Sequence, residues 1–184
     1  MATPTAIEIA DTIYMEQRTV QLEHLRFIID RYDHYYDTVN SKGQFYLAAN
    51  TFLLGAFGAA YMLVHSKNLN SSLFTVSVCI LASINWLSIF LTLTAILPYS
   101  GKVKRSQHPS LTFYGSVASQ KYKSFLQQIS AADDKAIEED LSRQTHQLAK
   151  GLDYKFGLLK KAGYILALQF VLLLPFALLF FYII

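Results

Sequence analysis

Apolar and polar residues fall into long blocks along this chain. Three blocks, about 45–64, 73–97 and 163–184, contain no Asp, Glu, Lys or Arg. A helix needs about 20 such residues to cross a hydrocarbon core of about 30 Å. In lipid, backbone N–H and C=O groups must be satisfied within the segment, so each block predicts a membrane-spanning helix. Between the blocks the pattern becomes periodic. Leu22, Leu25, Ile29, Tyr32, Tyr36 and Val39 step by three and four residues, a heptad seam on one helix face. With no proline after Pro4 and no glycine before Gly43, the spacing predicts a helix starting near Thr5 and running on into the first span.

Ile137, Leu141, Leu148, Leu152, Phe156 and Leu159 mark a second long helix leading into the third span. The segment after the second span opens on Pro98-Tyr99-Ser100-Gly101, a stop signal, and continues with a basic irregular stretch from Lys102 to Pro109. Gly115 predicts a turn or a close backbone approach, and a short helix is expected over 119–129. Ser130 with Asp133 reads as the start of the next helix, whose front is loaded with Asp133, Asp134, Glu138, Glu139 and Asp140. No period-2 alternation predicts a strand. The fold class is therefore all-α: three transmembrane helices, with a cytoplasmic helical bundle formed by extensions of the membrane helices. The organisation is an N-terminal cytoplasmic helix (1–43), a transmembrane hairpin (44–98), a cytoplasmic loop with helices (99–162) and a third transmembrane helix (163–184).

Composition agrees, at 53% apolar and 16% charged over 184 residues. The net charge of +3 is too small to argue for nucleic acid but suits basic residues at a membrane surface. One cysteine, Cys79, allows no intramolecular disulfide. The first 21 residues hold no continuous apolar core. No cleavable leader is expected, and the first span should act as the insertion signal. The connector between the first two spans has one lysine, Lys67, while eleven Lys and Arg residues from Lys102 to Lys161 lie between the second and third spans. The positive-inside rule then puts the N-terminus and the long loop in the cytoplasm and the C-terminus outside.

The five histidines lack partners at metal-ligand spacing, so no metal and no cofactor are expected. There is no nucleophile elbow and no phosphate-binding glycine loop, which disfavours an enzyme. Two clusters have the parts to hold an anion. One is Lys102-Val-Lys-Arg105 with His108 beside Ser106 and Ser110; its plainer reading is a set of positive residues flanking a span. The other is a belt of Arg31, His34, Tyr35, Asn40 and Lys42, with Lys155 on the other helix. Aromatic faces beside cations and amides can sandwich a base and hold its phosphate. The plainer reading is snorkelling side chains and interfacial tyrosines. Within the spans Asn50, Asn85 and Gln169 need partners across a helix interface, inside one subunit or between subunits. Pro175 should kink the third span locally.

The order of motifs is a helix ending Tyr36-Asp-x-x-Asn40-x-Lys42, two spans, Phe113-Tyr-Gly115, Gln144-x-His-x-Leu148, then Lys155 before a last span. This resembles the transmembrane effectors of the Pycsar anti-phage systems over nearly the whole chain. At position 146 it has His where that family more often has a second aromatic. The resemblance implies an effector that senses cyclic CMP or cyclic UMP and impairs the bacterial inner membrane, so that infection aborts. Both cationic clusters have parts for such a ligand, and the expected pocket lies between the two cytoplasmic helices at a subunit boundary, with Arg31, Asn40, Lys42, Lys102, Arg105 and Lys155 as the ligand-binding candidates. The expected partners are the lipid bilayer, the cyclic nucleotide and further copies of the chain, with no nucleic acid. The alternatives are a membrane scaffold whose cytoplasmic helices recruit a partner, and a two-span-type effector of a related nucleotide-triggered system.

Overall fold

The computed structural model describes residues 6–67, 69, 71–98 and 110–184, with side chains from Tyr14 onward. The predicted helix start at Thr5, and the basic stretch that holds Lys102 and Arg105, lie outside the described residues. Five helices follow in order: α1 (Ala6–Ser66), α2 (Ser72–Ile96), α3 (Tyr114–Ala118), α4 (Tyr122–Ala131) and α5 (Asp134–Ile183). There is no strand among the described residues. Helices α1, α2 and α5 are each long and apolar enough to cross a membrane. The all-α expectation with three spans therefore holds, and the chain is a membrane protein.

α1 continues from its polar half into its apolar half without a break, for 61 residues. α5 does the same over 50 residues and passes through Pro175. Proline removes one backbone donor, but a lipid-embedded helix stays helical because no competing water is present.

The residues group into two compact units. The membrane unit contains residues 36–98 and 152–184. Its core is Leu53, Phe57, Leu81 and Leu166, from all three spans, with Val78, Leu172, Leu173 and Phe176 against it. Phe176 meets Phe57 edge-on and stacks on Phe74, both at 5.4 Å between ring centroids. The helices approach closely where glycine allows it. A Cβ at Gly43 would lie 2.6 Å from Ile96 Cγ1, and one at Gly163 would lie 2.8 Å from the Tyr46 hydroxyl oxygen. The opposite faces carry exposed Phe52, Trp86, Phe90, Val171 and Phe181, as a helix surrounded by acyl chains should.

The other unit contains residues up to 35 and, among the described residues, 110–151. The seam residues Leu22, Leu25, Ile29 and Tyr32 are its partly buried side of α1, as are Ile137, Leu141 and Leu148 on α5. Arg18 Nε pairs with Glu138 Oε2 at 3.6 Å. Three local expectations change here. The short helix expected over 119–129 is α4, which starts at Tyr122 and runs to Ala131. Gly115 sits inside the one-turn helix α3 rather than in an open turn, where a Cβ would come within 2.7 Å of the Phe113 ring. The α5 cap is Asp133, whose Oδ1 accepts from Ala136 N at 2.8 Å; Ser130 still belongs to α4. Asp133 wins because α4 extends to Ala131, past the position that Ser130 would need as a cap.

Candidate functional site

The membrane-proximal site is built around Lys155. Its side chain is buried at 4% exposure, and its Nζ donates to Ala95 O at 2.8 Å and to Ile96 O at 3.1 Å. These carbonyls belong to the last turn of α2, where helix carbonyls have no partner within the helix and the helix dipole is negative. α2 has no basic residue in its own last turn. The positive charge is supplied from α5 instead. The ammonium also lies 5.6 Å from the centroid of the Tyr36 ring, within cation–π range. Burial pushes the Lys155 pKa below the ordinary lysine value. Asn40, one turn after Tyr36 on α1, is half-buried and its Oδ1 is enclosed without a hydrogen-bond partner. An aromatic face, a cation and an unsatisfied amide oxygen therefore belong to one unit near the ends of two spans.

Deeper in the same unit lies a polar network that joins all three spans. Asn85 Nδ2 donates to Asn50 O at 3.1 Å and to Gln169 Oε1 at 3.0 Å. Asn50 Nδ2 donates to Tyr46 O at 2.8 Å and to Ser88 Oγ at 3.1 Å. Ser88 Oγ reaches Ala162 O at 3.5 Å. Asn50, Asn85, Ser88 and Gln169 are wholly buried. The network leaves Asn50 Oδ1, Asn85 Oδ1 and Gln169 Nε2 without partners. The three amides read from the sequence as interface candidates thus meet one another inside a single chain.

The other unit has its own polar cluster. The buried Asp140 carboxylate accepts, at Oδ2, from Ser110 Oγ (2.9 Å), Leu111 N (3.0 Å), Thr112 N (3.2 Å) and Thr112 Oγ1 (2.8 Å). Gln144 Nε2 donates to Ser110 Oγ at 2.8 Å and to Thr112 Oγ1. Ser110 Oγ in turn accepts from Phe113 N at 2.9 Å. The segment that leads into Phe113-Tyr114-Gly115 is thereby fastened to α5. Backbone N–H groups and hydroxyls turned toward one carboxylate make strong, charge-assisted bonds.

Of the ligand candidates, Asn40, Lys42 and Lys155 belong to the membrane unit, and Lys42 is exposed. Arg31 belongs to the other unit. It is exposed, donates from Nε to the Tyr35 hydroxyl at 3.0 Å and lies 5.7 Å from the Tyr35 ring centroid. The hydrogen bond to Tyr35, and the charge that Tyr35 can carry, raise the Arg31 pKa. Lys102 and Arg105 lie outside the described residues. Sequence reading passed over Asp140, although it precedes Leu141 on the packed face and stands four residues before Gln144. It also passed over Tyr36 as a polar contact, having read it as a seam position.

Among the described residues, no group of three or more His, Cys, Asp or Glu side chains could hold a metal ion. No curated protein and no solved structure matches the chain. A family model described as the Pycsar effector protein domain matches residues 24–183, which takes in all three spans, the Lys155 cluster and the Asp140 clasp. The chain belongs to the Pycsar effector family and is an anti-phage transmembrane effector.

Proposed function

We propose that the chain binds a cyclic pyrimidine mononucleotide, cyclic CMP or cyclic UMP, on its cytoplasmic side and then impairs the inner membrane, aborting infection. The protein acts without catalysis and as an assembly of several copies, with the N-terminus cytoplasmic and the C-terminus outside. The observation that carries the reading is the double engagement of Lys155, which lies against the Tyr36 ring and closes the end of α2.

A cyclic mononucleotide offers one negative charge, a flat base and hydrogen-bonding edges. Tyr36 supplies an aromatic face, Asn40 an unsatisfied acceptor for a base or ribose donor, and Lys155 and Lys42 supply cations. Arg31 is an additional cationic candidate. Phosphate drawn to Lys155 competes with the Ala95 and Ile96 carbonyls for the same ammonium. Ligand binding then loosens the hold of α5 on the end of the second span. A ligand shifts a conformational equilibrium only by its differential affinity for the two states, and this competition is such a difference.

The test is dye leakage from liposomes carrying the protein, paired with calorimetry. Cyclic CMP or cyclic UMP should bind and trigger leakage, and Arg31→Ala and Lys42→Ala should weaken binding about tenfold or more, the loss of one charge-assisted contact. A folded protein that binds no cyclic mononucleotide at millimolar concentration refutes the sensor and leaves the scaffold reading.

A further inference from the structure

We infer that the extramembrane unit docks on a second copy of the same chain, the acidic stripe of α1 in one copy against the basic stripe of α5 in its neighbour. The assembly itself belongs to the proposed function; the surface that makes it does not follow from that reading. Nor does it follow from the heptad seam, which is partly buried within the chain, or from the span amides, which bond to one another inside it.

On α1, Glu16, Glu23 and Asp30 recur at every seventh residue and are all exposed. Seven residues are nearly two turns, so the three carboxylates form one stripe with about 10.5 Å between them. Val20 and Phe27, 59% and 58% exposed, run beside it on the side away from the buried seam. On α5, Lys135, Arg143 and Lys150 form an exposed stripe on the face opposite Leu141 and Leu148. None of these six charges has an ion-pair partner among the described residues; the unit's one ion pair there is Arg18–Glu138.

That pair also sets the heights of the two stripes. It levels Arg18 of α1 with Glu138 of α5, an offset of 120 in residue number. Both helices leave the unit for the membrane in the same chain direction. The same offset levels Glu23 with Arg143, Asp30 with Lys150, and Glu16 with the residue after Lys135. Glu139, which interrupts the basic stripe, falls level with Thr19, and Arg26 falls level with His146. Within this unit no like charges face each other in this register; the same offset pairs Asp33, just past the acidic stripe, with Asp153 of the membrane unit. Two copies inserted in one membrane stand at one height, so the acidic stripe of one meets the basic stripe of the next without sliding. Because the two surfaces differ, the contact is head-to-tail and can repeat around a ring. Single exposed ion pairs contribute little; a matched stripe mainly fixes partner and register, while Val20 and Phe27 supply apolar area.

The experiment uses the full chain in nanodiscs, with Cys79→Ser as background and no nucleotide. Chains carrying Glu23→Cys and differently tagged chains carrying Arg143→Cys are mixed and mildly oxidised. The expected product is a disulfide-linked dimer bearing both tags. A second arm uses native mass measurement. Glu23→Lys with Asp30→Lys should abolish the multimer, and adding Arg143→Glu with Lys150→Glu to the same chain should restore it. Circular dichroism confirms that the reversed chains remain helical. Raising salt from about 0.1 to 1 M, which shortens the Debye length from about 10 to 3 Å, should weaken the multimer. Predominant Glu23→Cys self-pairs, a strictly monomeric chain, or charge reversal without effect overturns the proposal. Nucleotide binding is measured on the same samples, so failure of this contact and failure of the sensor are separately visible.

Discussion

Lys155 Nζ and the carbonyl oxygen of Ala95 lie 2.8 Å apart, a hydrogen bond between residues sixty positions apart in sequence. A cation on α5 thus caps the end of α2. Lys155→Met keeps much of the side-chain volume and removes the donors. It should cost about 1.5–3 kcal/mol, the range for a hydrogen bond to a charged group, read as a shift in unfolding by SDS titration. Lys155→Arg should lie between the two. A Met variant as stable as wild type would show that the cap contributes nothing.

The second prediction concerns the amide network. Asn85→Leu leaves Gln169 Oε1 and Asn50 O without their donor. Interhelical hydrogen bonds in bilayers contribute about 0.6 kcal/mol on average and up to about 1.7. Asn85→Leu should destabilise within that range, plus any packing strain. The double variant with Gln169→Leu should lose less than the sum of the singles. Additive losses would mean that the Asn85–Gln169 contact is not coupled.

Asp140→Asn tests the clasp. The amide can still accept, but its bonds lack the charge, and its NH2 group faces donors if it turns. Hydrogen exchange at Leu111 and Thr112, whose N–H groups Asp140 now accepts, should speed up at least tenfold, about 1.4 kcal/mol of local opening. Exchange within the spans should be unchanged. Equal protection at 111 and 112 would remove Asp140 as the fastening point.

The fourth prediction uses the close approach at Gly163. Gly163→Ala places a Cβ 2.8 Å from the Tyr46 hydroxyl, so Tyr46 or the helix must move. Overpacking of this kind costs about 1–3 kcal/mol. Tyr46→Phe removes the nearest clashing atom and leaves ring carbons at 3.3 Å, so the pair should recover part of the loss. Thermal unfolding of the three variants decides it; a double variant no better than Gly163→Ala would place the strain elsewhere.

The spans were legible in the sequence because a run without charges has few other stable solutions. The long extensions were legible because Leu22 to Val39 and Ile137 to Leu159 keep helical spacing right up to the spans. Caps were less so: Ser130 and Asp133 both suit a helix start, and the choice depended on how far α4 extends. Lys155 was singled out as a cation, but its role as the cap of α2 was not legible, because it depends on how α5 lies against α2. For the same reason Asn50, Asn85 and Gln169 were recognisable as groups needing partners, while the identity of those partners was not. Asp140 was hidden among four other acids at the front of α5. Only its burial sets it apart, and burial depends on where residues 110–112 return.

The network at Asn50, Asn85, Ser88 and Gln169 has a consequence for how these spans can come apart. Sliding or rotating a purely aliphatic bundle merely exchanges protein methyls for lipid methyls. Here, parting the helices also takes amide groups from their partners, at the modest cost per bond given above for Asn85. Water that follows the helices inward gives those amides replacement partners and lowers that cost. Parting of the spans and wetting of their interface therefore favour each other: whatever loosens the helices exposes amides that attract water, and water between the helices supplies the partners that the closed bundle supplied.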